Sequence, residues 1–442
     1  MTTVAEVRLW GRTIAAVAIE EGGEAAEFEY AREFINSDIQ VAPLMMPLSS
    51  QVYRFPDLSR QTFHGLPGLL SDSLPDAFGN TLIEAWLATQ GRSPHSLNAV
   101  ERLCYTGARG MGALEFAPVI GPKSKQATRI YVDKLVALAS DVLTNRNDLR
   151  GSFSDIEKEE AFRDILRVGT SAGGARAKAI IAWNPATNEV RSGQVRTGQG
   201  FSYWVLKFDG VSGNRDKELD DPQGYGVIEY AYHKMAIDAG ITMSECRLLE
   251  ENGRRHFMTR RFDRLDSGEK LHMQSLGALA HYDFNEPGAY SYEQALFTIR
   301  KLDLGMEAVE EQFRRMVFNI VGRNQDDHVK NIAFLMNQRG EWSLSPAFDV
   351  TYSFNPIGLF TSSHQMTLNF KQDGFVLDDF KTCAKTVSMK RGRVETIIEE
   401  VTTVVARWRD YADEVGVSPD QRDKIQNALR LTGIAKARPR RQ

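Results

Sequence analysis

The chain has 442 residues, 42% of them apolar and 25% charged, with a formal net charge of -4. That length is too great for one compact core and implies two or three packed units of ordinary soluble composition. The charge balance argues against sequence-independent DNA binding, which needs a basic footprint.

The positive run Lys436, Arg438, Arg440 and Arg441 reads as a solvated tail. No apolar run reaches the ~18 residues of a membrane span. The opening residues lack a signal peptide's pattern. Cys104, Cys246 and Cys383 are far apart, with no metal-type spacing. They read as buried thiols in a reducing compartment, so the expected location is the cytoplasm.

Val7 and Leu9, a turn at Gly11-Arg12, then Ile14, Ala16 and Ala18 predict a β-hairpin. Phe28 and Tyr30 add a third strand. A helix is predicted from about Pro75, capped by Asp72 or Ser73, with Leu82, Ile83 and Trp86 as its apolar face. The flexible run Gly107–Gly112 leads to a short strand, Ala113–Phe116. Gly121–Thr128 reads as a polar linker. Two helices are expected around 130–146 and 156–167. Strands follow at Ala179–Trp183 and Tyr203–Phe208, a helix at Tyr225–Ala239, and strands near Arg247–Leu249 and His256–Phe262. From about Leu271 the pattern is mostly helical, apart from an apolar strand at Ile332–Leu335 and a short hairpin between it and Asp349. These patterns divide the chain into units at 1–125, 126–265 and 266–442, with a ligand cleft between a β-rich and a helical lobe.

The strongest chemical signal is Asn324-Gln-Asp-Asp-His-Val-Lys-Asn331. Asp326 and Asn331 have the D-x-x-x-x-N spacing of a kinase catalytic loop. There a carboxylate orients the substrate hydroxyl, and an amide oxygen five residues on ligates Mg²⁺. His328 and Lys330 add donors beside the phosphates. Eighteen positions after Asn331 comes Asp349, a second carboxylate suited to holding metal.

Upstream, Gly169-Thr-Ser-Ala-Gly-Gly-Ala-Arg-Ala-Lys178 joins a helix to a strand. Its glycines let backbone N–H groups approach phosphate closely. The run is neither G-x-G-x-x-G nor a Walker A motif. Lys207 stands inside the apolar strand Tyr203–Phe208. It is either a solvent-facing residue of an edge strand or a phosphate lysine, and Glu229 on the next helix is its candidate ion-pair partner.

With these residues in place, the sequence resembles the HipA family over nearly its whole length. The match is carried by Phe63–Asp76, Gly110–Phe116, Arg261-Phe-Asp-Arg264, Ser171–Lys178, Asp326-x-His-x-Lys-Asn331 and Pro346-Ala-Phe-Asp349. The resemblance implies an α+β fold, an atypical two-lobed protein-kinase-like arrangement with a mixed α/β N-terminal lobe and a mostly helical C-terminal lobe. It implies a serine/threonine protein kinase that uses ATP and Mg²⁺ and acts as the toxin of a toxin–antitoxin pair. Asp326 would be the catalytic aspartate, and Asn331 and Asp349 would hold Mg²⁺. Gly173, Gly174, Ala175, Arg176, Ala177, Lys178, Lys207, His328 and Lys330 would contact the nucleotide. Arg260, Arg261 and Phe262 would form the hinge at adenine, with Phe348 beside it. Ser171, with Thr170 as its neighbour, would take an autophosphate that removes the loop from its ATP-binding position.

The resemblance further implies an aminoacyl-tRNA synthetase as protein substrate and a HipB-type helix-turn-helix antitoxin as partner. Arg176 and Ala177 replace the glutamine and glutamate of better-known members. The acidic stretch Phe375–Phe380 lies where some members touch DNA, so DNA contact is expected only through the antitoxin. Two other readings remain. One is a small-molecule kinase of the aminoglycoside or choline type; that class usually has a histidine two residues before the aspartate, where this chain has Asn324. The other is an inactive co-repressor subunit.

Overall fold

The computed structural model describes residues 2–121, 129–144, 164–166, 168–169, 176–211, 215–216, 219–220 and 224–434. The N-terminal unit is built on an antiparallel sheet of order β3-β2-β1-β4, with β1 Thr2–Leu9, β2 Arg12–Glu20, β3 Glu27–Tyr30 and β4 Leu114–Ala117. Ala5, Val7 and Leu9 alternate inward along β1, as period-two patterning requires. The hairpin turn is Trp10-Gly11, one residue earlier than expected, with both residues at positive φ. Gly11 takes the second central position, the usual place of glycine in such a turn.

The middle unit is a five-stranded antiparallel sheet of order β10-β11-β7-β5-β6. Its strands are β5 Lys178–Asn184, β6 Glu189–Ser192, β7 Ser202–Lys207, β10 Cys246–Glu251 and β11 Arg254–Arg260. Ile181, Trp204, Leu206 and Met258 pack against helix Val132–Thr144. Because β7 is the central strand, Lys207 is not an edge-strand residue. A short ribbon pairs β8 Arg215–Asp216 with β9 Leu219–Asp220.

The third unit holds the largest core, formed by helices Tyr225–Asp238, Tyr292–Lys301, Gly305–Gly322, Leu377–Thr386, Arg393–Val405 and Trp408–Val415. Tyr232, Phe313, Phe318 and Trp408 fill it. The region is mostly helical, as expected, and the strand read at Ile332–Leu335 belongs to a sheet of its own. Strands β12 His272–Ser275, β13 Ala333–Met336 and β14 Trp342–Leu344 form a separate sheet. Segments this short carry little periodic signal in the sequence.

The expected boundaries do not separate the cores cleanly. Helix Tyr225–Asp238 packs into the third core rather than the second. Helix Ala77–Thr89 sends Phe78 and Leu82 into the second. Its cap is Asp76, not Asp72 or Ser73, and the carboxylate accepts from Gly79 N at 2.6 Å. Asp72 instead accepts from Ser275 N at 2.7 Å, across the joint to the third unit. Gly68 lies so close to Ala278 that an added Cβ would stand 2.2 Å from its carbonyl oxygen. The N-terminal unit is therefore welded to the helical lobe.

Among the described residues, no helix is long and apolar enough to cross a membrane. Cys104, Cys246 and Cys383 are all buried and unpaired.

Candidate active site

Helix Gly305–Gly322 ends on Arg323 in the left-handed conformation, φ 57°. The reversal starts the loop Asn324–Asn331. Asn324 Nδ2 donates to Asn319 Oδ1 at 3.0 Å, and Ser353 Oγ donates to Asn324 Oδ1 at 3.2 Å. Asp327 is buried. It accepts from the Tyr292 hydroxyl at 2.5 Å and Gln365 N at 2.8 Å, and meets His364 Nδ1 at 2.7 Å. Burial pushes its carboxyl up, but these partners outweigh burial and hold it below the usual range.

Asp326 faces the other way and keeps 33% of its side chain exposed. Gln365 Nε2 donates to its Oδ1 at 2.6 Å, and His328 Nε2 stands 3.8 Å from the same oxygen. Of the two adjacent aspartates, Asp327 fixes the loop and Asp326 stays partly open to solvent. Asn331 Nδ2 donates to the Asp326 carbonyl at 2.8 Å, which turns the amide oxygen away from that carbonyl. His328, Asn331, Phe348 and Asp349 line one small cavity. Lys330 Nζ lies 4.5 Å from the centre of the Phe284 ring.

The two lobes meet at Lys207. Its Nζ donates to Glu229 Oε1 at 2.6 Å and to Asp349 Oδ1 at 2.5 Å. Burial raises the Asp349 carboxyl, but Lys207 and Lys178 overcome that and hold it down at about 2. Glu229 lies deeper, and burial pushes its carboxyl up against the pull of Lys207. Asp349 also takes a left-handed backbone, φ 51°, uncommon for a residue with a side chain.

Lys178 sits directly across the strand pair from Lys207. Its partner was not legible in the sequence. Nζ is 3.7 Å from Oδ2 of Asp76, on the N-terminal unit, and both side chains are buried. Burial lowers the lysine and raises the aspartate. The same helix packs Leu82 against Gly169, where an added Cβ would lie 2.7 Å from Leu82 Cδ1. Helix Ala77–Thr89 and its cap thus contact the residues flanking both sides of the Gly-rich run. Arg176 stacks on Tyr225, 3.6 Å from ring centre. Ala177 accepts from Phe208 N at 3.1 Å. Ser171, Thr170, Gly173, Gly174 and Ala175 lie outside the described residues.

At the expected hinge, the Phe262 and Phe348 rings stand 5.6 Å apart. Arg260 is partly exposed and pairs with Asp266. The side chain of Arg261 turns inward, and its buried guanidinium donates to Asp263 at 2.8 and 2.7 Å. Asp263 also accepts from Gly112 N at 2.7 Å and Arg264 at 2.8 Å. Through Asp263, Arg261 therefore ties the hinge to the N-terminal unit, while its own N donates to Tyr203 O at 2.8 Å.

The donor set fits a hard divalent cation. A carboxylate held ionised and an amide oxygen share one cavity, as Mg²⁺ prefers. Among the described residues no three His, Cys, Asp or Glu side chains cluster as a metal cage. Water and phosphate would have to complete the shell.

Comparison with known proteins bears on the fold and the family. A chain of the Shewanella oneidensis MR-1 toxin–antitoxin complex of HipA, HipB and operator DNA superposes with a TM-score of 0.64. Identity is 14%, over 96% of this chain and 94% of that one, so the likeness is one of fold. The Helicobacter pylori proinflammatory kinase CtkA matches at 11% identity and a TM-score of 0.33, over 51% of this chain and 84% of that one. No curated protein sequence matches. The fold is a mixed α/β one shared with a chain of the Shewanella complex. The HipA N-terminal domain matches residues 5–117 and the HipA-like C-terminal domain residues 170–408, so the cleft described above lies within a chain that belongs to the HipA family.

Proposed function

We propose that the chain is an ATP- and Mg²⁺-dependent serine/threonine protein kinase, the toxin of a HipBA-like pair. The observation that carries this reading is the bridge of Lys207 to Glu229 and Asp349 at 2.6 and 2.5 Å. It joins a small-lobe strand, a helix and the carboxylate of Asp349, which shares a cavity with His328 and Asn331, and so supplies the lysine and metal-site carboxylate that phosphoryl transfer needs. Asp326 accepts the proton of a serine or threonine hydroxyl, whose oxygen takes the terminal phosphoryl group as ADP leaves. Gln365 holds the carboxylate in position. Lys207 and Lys178 meet the phosphates, and His328 and Lys330 flank them. Asn331 and Asp349 would hold Mg²⁺, which supplies charge neutralisation at the phosphate oxygens.

The protein substrate in this reading is an aminoacyl-tRNA synthetase, and its phosphorylation arrests translation. The neutralising partner is a HipB-type antitoxin, through which DNA is contacted. The fold relative solved together with HipB and operator DNA supports that partner. Ser171 is the proposed autophosphorylation site.

Asp326→Asn tests the assignment. Losing the catalytic carboxylate should lower autophosphorylation by at least ~10²-fold while the thermal midpoint stays close to wild type. Asp327→Asn should instead lower the midpoint. An Asp326→Asn protein with full activity would refute the catalytic role of Asp326 and break the assignment of the loop.

A further inference from the structure

Arg323 and Arg430 converge on one carboxylate from two distant parts of the chain. Arg323 opens the loop Asn324–Asn331, and Arg430 follows helix Pro419–Ala428. Arg430 Nη2 donates to Asp373 Oδ1, and Arg323 Nη1 stands 4.0 Å from Asp373 Oδ2. Among the described residues no other carboxylate lies within 4.0 Å of either guanidinium.

Both arginines are fixed in place. Arg323 Nε donates to Ala428 O at 2.7 Å, and Arg430 N donates to Val321 O at 3.0 Å. Each guanidinium also lies on a ring, Arg323 4.4 Å from the centre of Phe354 and Arg430 5.5 Å from that of Phe375. The two arginine side chains are 18% and 12% exposed, whereas Asp373 is 53% exposed. Burial, and then the charge of Arg323, lower the Arg430 guanidinium to about 10.

Two arginines also meet one aspartate at Asp263. There the carboxylate is fully buried and accepts four hydrogen bonds. At Asp373 the same ratio is left open. Nη1 of Arg323 and Nη1 of Arg430 are both buried and make no hydrogen bond, which is costly for a charged donor. Two positive charges face one negative charge. Asp327 also acts on Arg430, but its oxygens are already met by Tyr292, His364 and Gln365.

A phosphate monoester answers these features. It carries about -1.5 to -2 charges and three acceptor oxygens at neutral pH. Arginine forks bind such oxygens in pairs. Asp373 is held by Arg430 and by Gly374 N at 2.6 Å, so it can swing into solvent without opening a core.

We propose that Arg323 and Arg430 form a phosphate-binding site, in which Asp373 stands as the counter-charge when no phosphate is bound. Neither arginine lines the cavity that holds Asp349, and the site does not depend on the kinase reading. The phosphate has two sources. One is free phosphate. The other is this chain, because Asn355 N donates to Thr361 O at 3.2 Å and His364 N to Gln372 O at 3.1 Å. The run Thr361-Ser362-Ser363 is thus held between the neighbours of Phe354 and Asp373, the two residues that the Arg323 guanidinium meets. A hydroxyl there would take the terminal phosphoryl group of ATP, with ADP leaving and the hydroxyl proton released.

The test uses the full chain, first stripped by a phosphatase. Inorganic phosphate is the probe, and chloride at matched ionic strength is the control. MgADP is present throughout to fill the cleft. Phosphate should raise the melting temperature of wild type more than chloride does. Asp373→Asn keeps an acceptor for Gly374 N and removes the competing charge. It should bind phosphate about fivefold more tightly, the worth of one exposed ion pair. Arg430→Gln should lose the phosphate effect.

Mass spectrometry of the untreated protein separates the sources. A phosphate on Thr361, Ser362 or Ser363, in a form that no longer responds to added phosphate, assigns the site to the chain's own segment. An unmodified segment with the response intact assigns it to free phosphate. Equal responses of stripped wild type to phosphate and chloride mean screening alone and overturn the proposal. So does an Asp373→Asn protein with unchanged phosphate affinity; that variant lies at a half-exposed site and keeps the test decisive if Arg430→Gln does not fold.

Discussion

Asp263 and Asp349 are both carboxylates facing cations, and they differ in how many donors hold them. Asp263 is fully buried and accepts four hydrogen bonds, two from Arg261 and one each from Arg264 and Gly112. Its capacity is used up inside the protein. Asp349 is held by Lys207 and leaves 36% of its side chain exposed. It can share that lysine with a phosphate or turn to a cation. The contrast repeats between buried Asp327 and half-open Asp326. A saturated carboxylate builds the joint between units, and an unsaturated one serves the cleft. Residue type alone does not tell the two apart.

The largest expected effect breaks the joint. Asp263→Ala strands two buried guanidinium groups, Arg261 and Arg264, whose side chains are 0% and 7% exposed. Removing one partner of a buried ion pair costs about 3–5 kcal/mol. Urea unfolding should show a loss of that size. Asp349→Ala should lose far less stability and instead raise the Mg²⁺ concentration needed for activity. Equal stability losses in the two variants would end the distinction between joint and cleft.

Much of the cleft was legible because its parts are close in sequence. Asp326, His328, Lys330 and Asn331 fall in one loop, and Lys207 interrupts an apolar strand. What could not be read was delivered by tertiary packing. Gln365 reaches Asp326 from 39 positions away, and Asp76 reaches Lys178 from another unit. The inward turn of Arg261 was not legible for a local reason. Neighbouring arginines at the end of β11 face opposite sides, and the sequence does not say which one turns inward. The strand at Ile332–Leu335 and the hairpin after it were readable, but β12 was not, because it is four residues long and lies among helices.

A smaller effect probes where joint and cleft touch. Asp76→Asn removes a charge but keeps the helix cap, since asparagine caps as well as aspartate. Asp76 Oδ2 has no hydrogen-bond partner, so its interaction with Lys178 is chiefly electrostatic. Without it the buried ammonium lacks its nearest counter-charge, and the free protein should melt lower. A nucleotide phosphate would replace the missing charge. MgATP should therefore bind several-fold to about tenfold more tightly, and raise the melting temperature more than in wild type. Unchanged MgATP affinity would show that Asp76 does not influence how Lys178 meets phosphate.

The smallest effect separates joint from cleft by pH. His281 sits between Phe55 and Phe63, 4.5 and 5.9 Å between ring centres, and its Nε2 accepts from Gly68 N at 3.0 Å. That bond requires an unprotonated Nε2. Burial holds the His281 imidazole down at about 4, and buried His272 at the same joint likewise at about 4. In the unfolded chain a histidine titrates near ~6.5. Between those values the unfolded state binds more protons, so this stability is complete above pH ~6.5 and drains away as pH falls toward ~4. Asp349, held at about 2, stays ionised across that window, so its pair with Lys207 is unaffected. Wild type should lose stability between pH 7 and 5.5, with about 1 kcal/mol of the loss from His281 after allowance for its partial exposure. In His281→Gln the amide oxygen can accept from Gly68 without titrating. Its urea midpoint should fall less over the same interval, and parallel curves for the two proteins would place the acid sensitivity elsewhere than at this joint.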